Sequence, residues 1–474
     1  MLVAARAEEA FLSDAVYWRL RGWLATPRVR RWAPPALLGL IATVAVALRA
    51  FRLDSPAETA PGQGFIFDER YYVNAARKIA GVPINIRDLY ALQAPSGADP
   101  NAEHPQLAKA IIALTIRLFG DNPVGWRISA VVAGVGAILL LYWLVRCAGG
   151  GVTVGLIAAA IAAVENLWLV SARIAVLDVY CLPFMLAAVA FYLRRQPVVA
   201  GVLIGAGMCV KSFTAWALLV ILLLEGLRAV RRLLARRVPP DGSIDWRRLT
   251  RRAARPTAVL IVAAVAYFSS LAALDVVVPP YSGGRAVDSG QDRRCDLALA
   301  WSGACNHFIF MATYAAHLQT GNAGPRGIAS YPWQFWANVK PITYYKETRS
   351  VRTGNTVLVT TVMDFEGVID PLVLFTGWAA LLVNAFWAVR RRDDLSFLVL
   401  AWALGTWLPA EALSFFDHRI TYLYYMVVTM PAIYVAVARL LASREVPRWL
   451  SGGWGGVLLA DLYLRYPFRD IFGG

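Results

Sequence analysis

Residues 33–51 read APPALLGLIATVAVALRAF, an apolar run that follows the basic residues Arg28, Arg30 and Arg31. About 20 apolar residues in a helix cross the ~30 Å of hydrocarbon in a bilayer. Similar runs recur along the chain, and the stretch Trp449–Tyr466, which Gly residues and an Asp interrupt, is a further candidate. The predicted spans are 33–51, 125–146, 152–170, 173–193, 198–210, 213–230, 256–278, 369–389, 395–411 and 420–441. The sequence therefore predicts an all-α polytopic membrane protein with about 10–11 transmembrane helices.

The basic residues are distributed in a way that predicts the orientation of these helices. Lys and Arg outnumber Asp and Glu by 47 to 31, which gives a net charge of +16, although only 16% of residues are charged. They cluster at the ends of apolar runs and do not form one polar face that could bind nucleic acid. The positive-inside rule places these clusters and the N-terminus in the cytoplasm. Two long polar segments, 52–124 and 279–368, are then predicted to be extracytoplasmic.

The predicted layout alternates spans and loops. A short interfacial helix is expected at Glu8–Trp23, and an interfacial or re-entrant helix at Gln106–Phe119, which is too short to span. The predicted parts are a cytoplasmic N-terminal interfacial segment (1–32), the first transmembrane helix (33–51), a first extracytoplasmic loop (52–124), transmembrane helices with a basic cytoplasmic loop at 228–255 (125–278), a second extracytoplasmic loop (279–368), C-terminal transmembrane helices (369–441) and a tail (442–474).

Two adjacent carboxylates, Asp68 and Glu69, follow the first span in the sequence FDERYY, residues 67–72. Carboxylates at a membrane–water boundary can act as a general base or bind a cation. Asp68 could equally cap the helix that follows, with Glu69 in its first turn. The residues alone leave these alternatives open.

Several cations are candidates for holding a phosphate group. His104 and Lys109 lie at the start of the short helix in the first loop, where a positive helix end favours an anion. Lys109 could also be an ordinary lysine that extends to the interface. Arg419 lies among tyrosines before the last span, and Tyr345 ends an aromatic segment that starts at Tyr331. Aromatic rings and cations together suit a sugar phosphate, although aromatics at an interface are usually belt residues.

Charged residues within the predicted spans are a further signal, since an unpaired charge at mid-membrane costs at least ~2.5–3.5 kcal/mol. Arg127, Arg173, Asp178 and Lys211 should therefore face a polar cavity. Arg173 and Asp178 are close enough in sequence to form a structural pair, which is as good an interpretation as a substrate role.

The cysteine and histidine residues suggest no metal centre, because their spacing does not match a ligand set. Neither a metal nor another cofactor is expected. Cys295 and Cys305 lie together in the second external loop and would form a disulfide if that compartment is oxidising, although they could also remain free thiols.

Taken in order, these motifs resemble those of the protein O-mannosyltransferase family of the GT-C superfamily, bacterial type, over nearly the whole chain. The second Pro of the family's His-Pro-Pro-Leu motif is Gln106 here, and the β-trefoil domain of eukaryotic relatives (the MIR domain) is absent from the second loop. The matching features are the Asp68-Glu69 pair, His104-Pro105-x-Leu107-x-Lys109, Arg127, the run from Arg173 to Asp178, the Gly-rich stretch before Lys211, and the late Trp-Pro-Tyr-Tyr region.

The resemblance implies transfer of mannose from polyprenyl-phosphate-mannose to Ser or Thr hydroxyls of proteins, with inversion and without a metal. It makes Asp68 the candidate base, and Glu69 would shape the same site. The expected location is the plasma membrane of a prokaryote, with the active site outside. The residues expected to bind the donor phosphate or sugar are Arg127, Lys109, His104, Lys211, Arg419, Arg173, Asp178 and Tyr345.

Two other functions are weighed against this one. A GT-C enzyme that modifies a lipid A-like or other glycolipid acceptor shares the Asp-Glu signature, but the His104–Lys109 motif and the segment Trp333–Tyr345 favour a protein acceptor. A secondary transporter also needs charges in its spans. It would be expected to show internal repeats, which this sequence lacks, and it gives no role to the long external loops.

Overall fold

The structure is a computed structural model that describes residues 26–60, 62–82, 89–235, 246–288, 294–298, 300–321, 324–353 and 356–469. The predicted interfacial helix Glu8–Trp23 lies outside these residues. In chain order, the helices are α1 (Pro27–Ala50), α2 (Glu69–Ala80), α3 (Leu89–Leu92), α4 (Leu107–Phe119), α5 (Pro123–Cys147), α6 (Val152–Val164), α7 (Asn166–Ser171), α8 (Leu177–Leu193), α9 (Pro197–Met208), α10 (Trp216–Ala235), α11 (Trp246–Val277), α12 (Ala300–His317), α13 (Pro332–Phe335), α14 (Pro371–Arg390), α15 (Asp394–Phe416), α16 (Met430–Leu441) and α17 (Arg448–Arg465).

The long helices confirm the polytopic fold. Within the described residues, six helical segments are long and apolar enough to cross a membrane, and four shorter apolar helices accompany them. The six are α1, α5, α10 with the turn before it, α11, α14 and α15, and the four are α6, α8, α9 and α16. These ten coincide with the ten predicted spans. A further helix, α17, occupies the tail where an eleventh crossing was considered.

The four short helices mark where the sequence-based spans are too long. Within the predicted spans 152–170 and 420–441 the helix is interrupted. In the first, the backbone is extended at Glu165, and α7 starts a new direction. In the second, a 3₁₀ turn at Leu423–Val428 precedes α16. All four helices stop short at the end that the charge rule places outside. Non-helical backbone at this depth is tolerated only where it is buried in protein or lines a cavity, so these breaks indicate a site.

Small residues allow the helices around this region to approach closely. Gly201 and Gly205 lie one turn apart on α9 and face α11. A Cβ atom at Gly205 would lie 2.6 Å from the carbonyl oxygen of Ala263, so a larger residue would force the two helices apart. The spacing is the small-xxx-small pattern of membrane helix pairs.

The second external segment has more structure than the sequence indicated. It contains two antiparallel hairpins, β1 (Tyr281–Ser282) with β2 (Arg285–Ala286) and β3 (Ile342–Thr353) with β4 (Thr356–Gly367). A disulfide joins Cys295 to Cys305 beside the start of α12. The base of the longer hairpin is held by Asn166, whose side-chain amide donates to the carbonyl oxygens of Glu366 (2.8 Å) and Val368 (3.0 Å). The hairpin is thereby anchored on the break between α6 and α8.

Candidate active site

The two adjacent carboxylates at the start of α2 have different environments. Glu69 is fully buried, and its carboxylate accepts hydrogen bonds from the backbone N–H groups of Ile66 (2.8 Å) and Ala175 (2.9 Å). The guanidinium of Arg127 donates to both of its oxygens at 2.9 Å. Because four donors already surround Glu69, its role in the structure is to join α2, α5 and the break before α8.

Arg127 is committed to the same network. Besides Glu69, it donates to the carbonyl oxygens of Leu53 (3.1 Å), Ser55 (3.0 Å) and Gly64 (2.7 Å). A guanidinium has five N–H donors, and these contacts use all of them. The sequence-based assignment of Arg127 to the donor phosphate is therefore not supported by its contacts, which secure the loop after α1.

Asp68 is left with a carboxylate that is free to react. It occupies the N-cap position of α2, but its side chain makes no capping bond, and within the described part of the chain its carboxylate accepts no hydrogen bond. Burial raises the pKa of Asp68 from 3.8 to about 6; the positive charge of Lys211 opposes the rise, and the negative charge of Asp178 adds to it. A carboxylate with a pKa near neutrality is suited to general-base chemistry.

The backbone before Asp68 is unusual. Phe67 has a φ of +54°, in the left-handed region that a bulky residue rarely adopts. Its ring packs against Tyr344 (4.7 Å between centroids) and Tyr424 (5.6 Å). Strained residues of this kind persist where the surroundings hold them, and they cluster at functional sites. The two tyrosines thus fix the turn that presents Asp68.

A buried ion pair lies on the other side of Asp68. Lys211 Nζ is 2.8 Å from Asp178 Oδ1, and both side chains are 7% exposed. Lys211 lies at the extended residue between α9 and the next turn, and its ammonium is 4.6 Å from the ring centre of Phe213 and 5.5 Å from that of Tyr424. Of the two interpretations of the sequence, a structural pair of Asp178 with Arg173 does not form, because Asp178 pairs with Lys211 and Arg173 binds elsewhere.

Arg173 instead clamps the first helix to the end of the chain. Its guanidinium donates to the carbonyl oxygens of Leu48 and Phe51 and to the hydroxyl of Tyr466 (2.9 Å). It also lies 5.0 Å from the ring centre of Phe468. These contacts give Arg173 a structural role, and they do not support its assignment to donor binding.

Lys109 is likewise engaged within the protein. It is fully buried on the inner face of α4, and its ammonium is 2.5 Å from Asp99. It also donates to the carbonyl oxygens of Asn101 and of His104 (2.8 Å). All of its donors are thus used, so Lys109 shapes the segment that carries His104, and its predicted phosphate contact is not supported.

A cavity of about 370 Å³ opens next to this segment. Glu103, His104 and Arg419 contribute polar groups to its wall, and the rest is mainly apolar. Burial lowers the pKa of His104 well below its usual value, and the charges of Lys211, Lys109 and Arg419 act in the same direction. The imidazole is therefore neutral near pH 7. The apolar walls are formed by Phe213, Trp216, Phe308, Met311 and Leu413, among others.

Known proteins share both the sequence pattern and the fold. The family model for dolichyl-phosphate-mannose-protein mannosyltransferases matches residues 103–240. A polyprenol-phosphate-mannose–protein mannosyltransferase of Mycolicibacterium smegmatis is 26% identical over 457 residues, covering 88% of this chain and 83% of that protein. The protein of the same name from Mycobacterium tuberculosis is 31% identical over 173 residues, covering 36% and 28%. The chain is a relative of the protein O-mannosyltransferases.

The resemblance stated from the motifs is thereby confirmed, and the chain is a membrane glycosyltransferase. The S. cerevisiae protein O-mannosyltransferase Pmt1–Pmt2 complex bound to the sugar donor superposes with a TM-score of 0.58 at 12% identity, covering 92% of this chain and 88% of that chain. At this level of identity the likeness shows the fold, which is the predicted GT-C fold.

In this mannosyltransferase relative, the tyrosine next to Phe67 is Tyr344 and not the predicted Tyr345. Tyr345 points away from Asp68, and its hydroxyl donates to Glu347 at 3.1 Å. Tyr344, which the sequence interpretation passed over, is the buried residue that packs on Phe67. Alternation along a strand puts successive side chains on opposite faces, and this rule could have identified Tyr344 only if β3 had been predicted.

No group of three or more His, Cys, Asp or Glu side chains is placed to hold a metal ion anywhere in the residues described. Reaction without a metal remains a prediction for this mannosyltransferase relative.

Proposed function

We propose that the chain transfers mannose from polyprenyl-phosphate-mannose to Ser or Thr hydroxyls of proteins, with Asp68 as the general base. The observation that carries this proposal is the contrast within the Asp-Glu pair. Glu69 is saturated by four donors, whereas Asp68 has a free carboxylate with a pKa of about 6 beside Lys211.

The reaction needs one proton transfer and one displacement. Asp68 takes the proton of the acceptor hydroxyl as its oxygen attacks C1 of the mannose. The bond from C1 to the phosphate oxygen breaks, and polyprenyl phosphate leaves with the bonding electron pair. Attack from the face opposite the leaving group inverts the configuration at C1. A positioned carboxylate of this pKa contributes ~10²–10⁴-fold to such a step.

Of the Arg and Lys residues that the sequence assigned to the donor, Lys211 and Arg419 remain available for the departing phosphate. The ammonium of Lys211 donates to Asp178 and, within the described residues, makes no other hydrogen bond. Arg419 lies in the wall of the cavity together with His104. Positive charge close to the leaving phosphate stabilises the charge that develops there in the transition state.

The cavity suits the lipid part of the donor. Its walls carry Phe213, Trp216, Phe308 and Met311, and Arg419 and His104 are among its polar residues. A polyprenyl chain can lie against the apolar walls with its phosphate near Arg419.

Two observations support an extracytoplasmic site in a prokaryotic plasma membrane and a protein acceptor. The basic clusters lie at the opposite ends of the spans, and the disulfide between Cys295 and Cys305 is typical of an oxidising compartment. The mycobacterial relatives carry names that specify a protein acceptor. A glycolipid acceptor is the alternative that the experiment below addresses.

The test is a transfer assay with purified protein in nanodiscs, polyprenyl-phosphate-mannose, and peptide and glycolipid acceptors in parallel. We expect mannosylated peptide from wild type and from Asp54→Asn, which alters an exposed carboxylate in the same loop. Asp68→Asn should lose at least ~10²-fold in rate. Full activity of Asp68→Asn would overturn the base assignment, and transfer to the glycolipid alone would overturn the acceptor.

A further inference from the structure

The cavity has two walls that come from different external segments. One wall is the stretch Glu103–Pro105 before α4, and the other is α12, which contributes Phe308 and Met311. Because these walls are far apart in sequence, something must set the distance between them. A buried polar cluster directly behind the cavity makes this connection.

His307 on α12 is the centre of that cluster. It is fully buried, its Nδ1 is 2.8 Å from Asp275 Oδ1, and its Nε2 is 3.0 Å from the carbonyl oxygen of Ala102. Gln106 is also fully buried and donates to Asp275 and to the carbonyl oxygen of Val278 (3.1 Å). Asp275, near the end of α11, thus contacts residues of both α12 and the first-loop segment.

Gln106 is the position at which this chain departs from the family motif. A Pro there would have no side-chain amide and could not donate to Asp275. The departure therefore comes with a contact that ties the residue after His104-Pro105 to α11. The resulting cluster is a property of this chain, not of the motif.

The two ring nitrogens of His307 contact two different elements. A carbonyl oxygen only accepts, so Nε2 donates a hydrogen to Ala102 at 3.0 Å. Nδ1 lies 2.8 Å from the carboxylate of Asp275. Because both nitrogens are engaged, the imidazole fixes the distance from α12 to the first-loop segment and to the end of α11.

We propose that Asp275 and His307 are positioning residues that form a latch, the contact that holds the segment from Ala102 to Gln106 against α12, and that this latch keeps the cavity shaped for a polyprenyl phosphate. The proposal rests on the donor cavity of the proposed function.

The latch is tested with polyprenyl phosphate alone, bound to purified protein in nanodiscs at neutral pH. His307→Gln removes the ring whose two nitrogens join Ala102 to Asp275, and Asp275→Asn removes the carboxylate that binds His307 and Gln106. His317→Gln is the matched control, because His317 is an exposed histidine on the same helix. The measured quantity is the dissociation constant of each variant against that of wild type.

We expect wild type and His317→Gln to bind with the same affinity. His307→Gln and Asp275→Asn should each bind about tenfold more weakly, as for one lost buried hydrogen bond. The double variant should be no weaker than either single variant. In transfer assays the donor KM should rise while kcat at saturating donor stays within about twofold, since the reacting groups are untouched.

Binding and transfer separate the two proposals. If both variants bind polyprenyl phosphate more weakly than wild type but wild type transfers no mannose, the proposed reaction fails and the latch stands. If transfer occurs and both His307→Gln and Asp275→Asn bind with the wild-type affinity, the latch is refuted. A variant that loses kcat alone would also refute it, because a positioning role acts on donor binding.

Discussion

Replacing Asp68 by Asn should stabilise the folded protein while it removes activity. The pKa of Asp68 is about 6 in the folded state against an ordinary value of 3.8. Each pKa unit corresponds to 1.36 kcal/mol, so ionised Asp68 costs the folded state about 3 kcal/mol. Asn has the same shape and carries no charge. The free energy of unfolding of Asp68→Asn should therefore exceed that of wild type by up to about 3 kcal/mol at about pH 7.5.

The pH dependence follows from the direction of the pKa shift. The folded carboxyl binds its proton more tightly than the unfolded one, so wild type loses stability as pH rises from about 4 to about 6. The gain from Asp68→Asn should accordingly be full at about pH 7.5 and small near pH 4. The transfer rate of wild type should rise as pH passes through about 6, because the folded carboxyl must be ionised to accept the proton.

The assay is unfolding of purified protein in detergent, followed by intrinsic fluorescence at both pH values. Asp54→Asn serves as the control, because an exposed carboxylate should change stability little at either pH. An Asp68→Asn protein that is no more stable than wild type at about pH 7.5 would refute the reasoning. So would an equal gain at both pH values, since the gain would then not come from ionisation.

Three further predictions concern the surroundings of the site. Arg127→Lys offers three N–H donors where the native guanidinium uses five. The free energy of unfolding should therefore fall by about 3–5 kcal/mol in denaturation assays, while the donor KM of the folded fraction stays unchanged. A raised KM at full stability would contradict this. Lys211→Met leaves Asp178 as an unpaired buried carboxylate, so both stability and donor binding should fall, and adding Asp178→Asn should restore stability without restoring binding. Cys295→Ser should cost about 2–3 kcal/mol, measured by thermal unfolding, and reductant should destabilise wild type to the same level without further effect on the variant.

The spans could be predicted from the sequence because length and apolar composition determine them almost alone. The breaks at Glu165 and before Lys211 could not. Each depends on partners that are distant in sequence, such as the backbone of Asp370, which donates to Glu165 at 3.0 Å. A hydropathy pattern contains no information about such partners, so it extends each span to the next charge or turn.

The candidate site could be located from its motifs, but the roles within it could not be assigned. The sequence does not distinguish Asp68 from Glu69. The backbone conformation at the start of α2 determines which of the two carboxylates contacts Arg127. Lys and Arg residues were assigned to phosphate binding because of their charge. The structure shows that Lys211 and Arg419 still have hydrogen-bond donors to offer, whereas the others use theirs within the protein. The longer hairpin had a signal in Gly354-Asn355 between two runs rich in β-branched residues, which is a common hairpin turn.

The contacts of Arg173 also constrain how this protein is made. The guanidinium joins the carbonyl end of α1 to Tyr466 and Phe468, which follow all the described spans along the chain. Helix α1 can enter the membrane early, but its outer end cannot be secured until residues 466–468 have been synthesised. The loop that carries Asp68 starts directly after this end. The reactive carboxylate should therefore reach its final position only after those spans have been inserted.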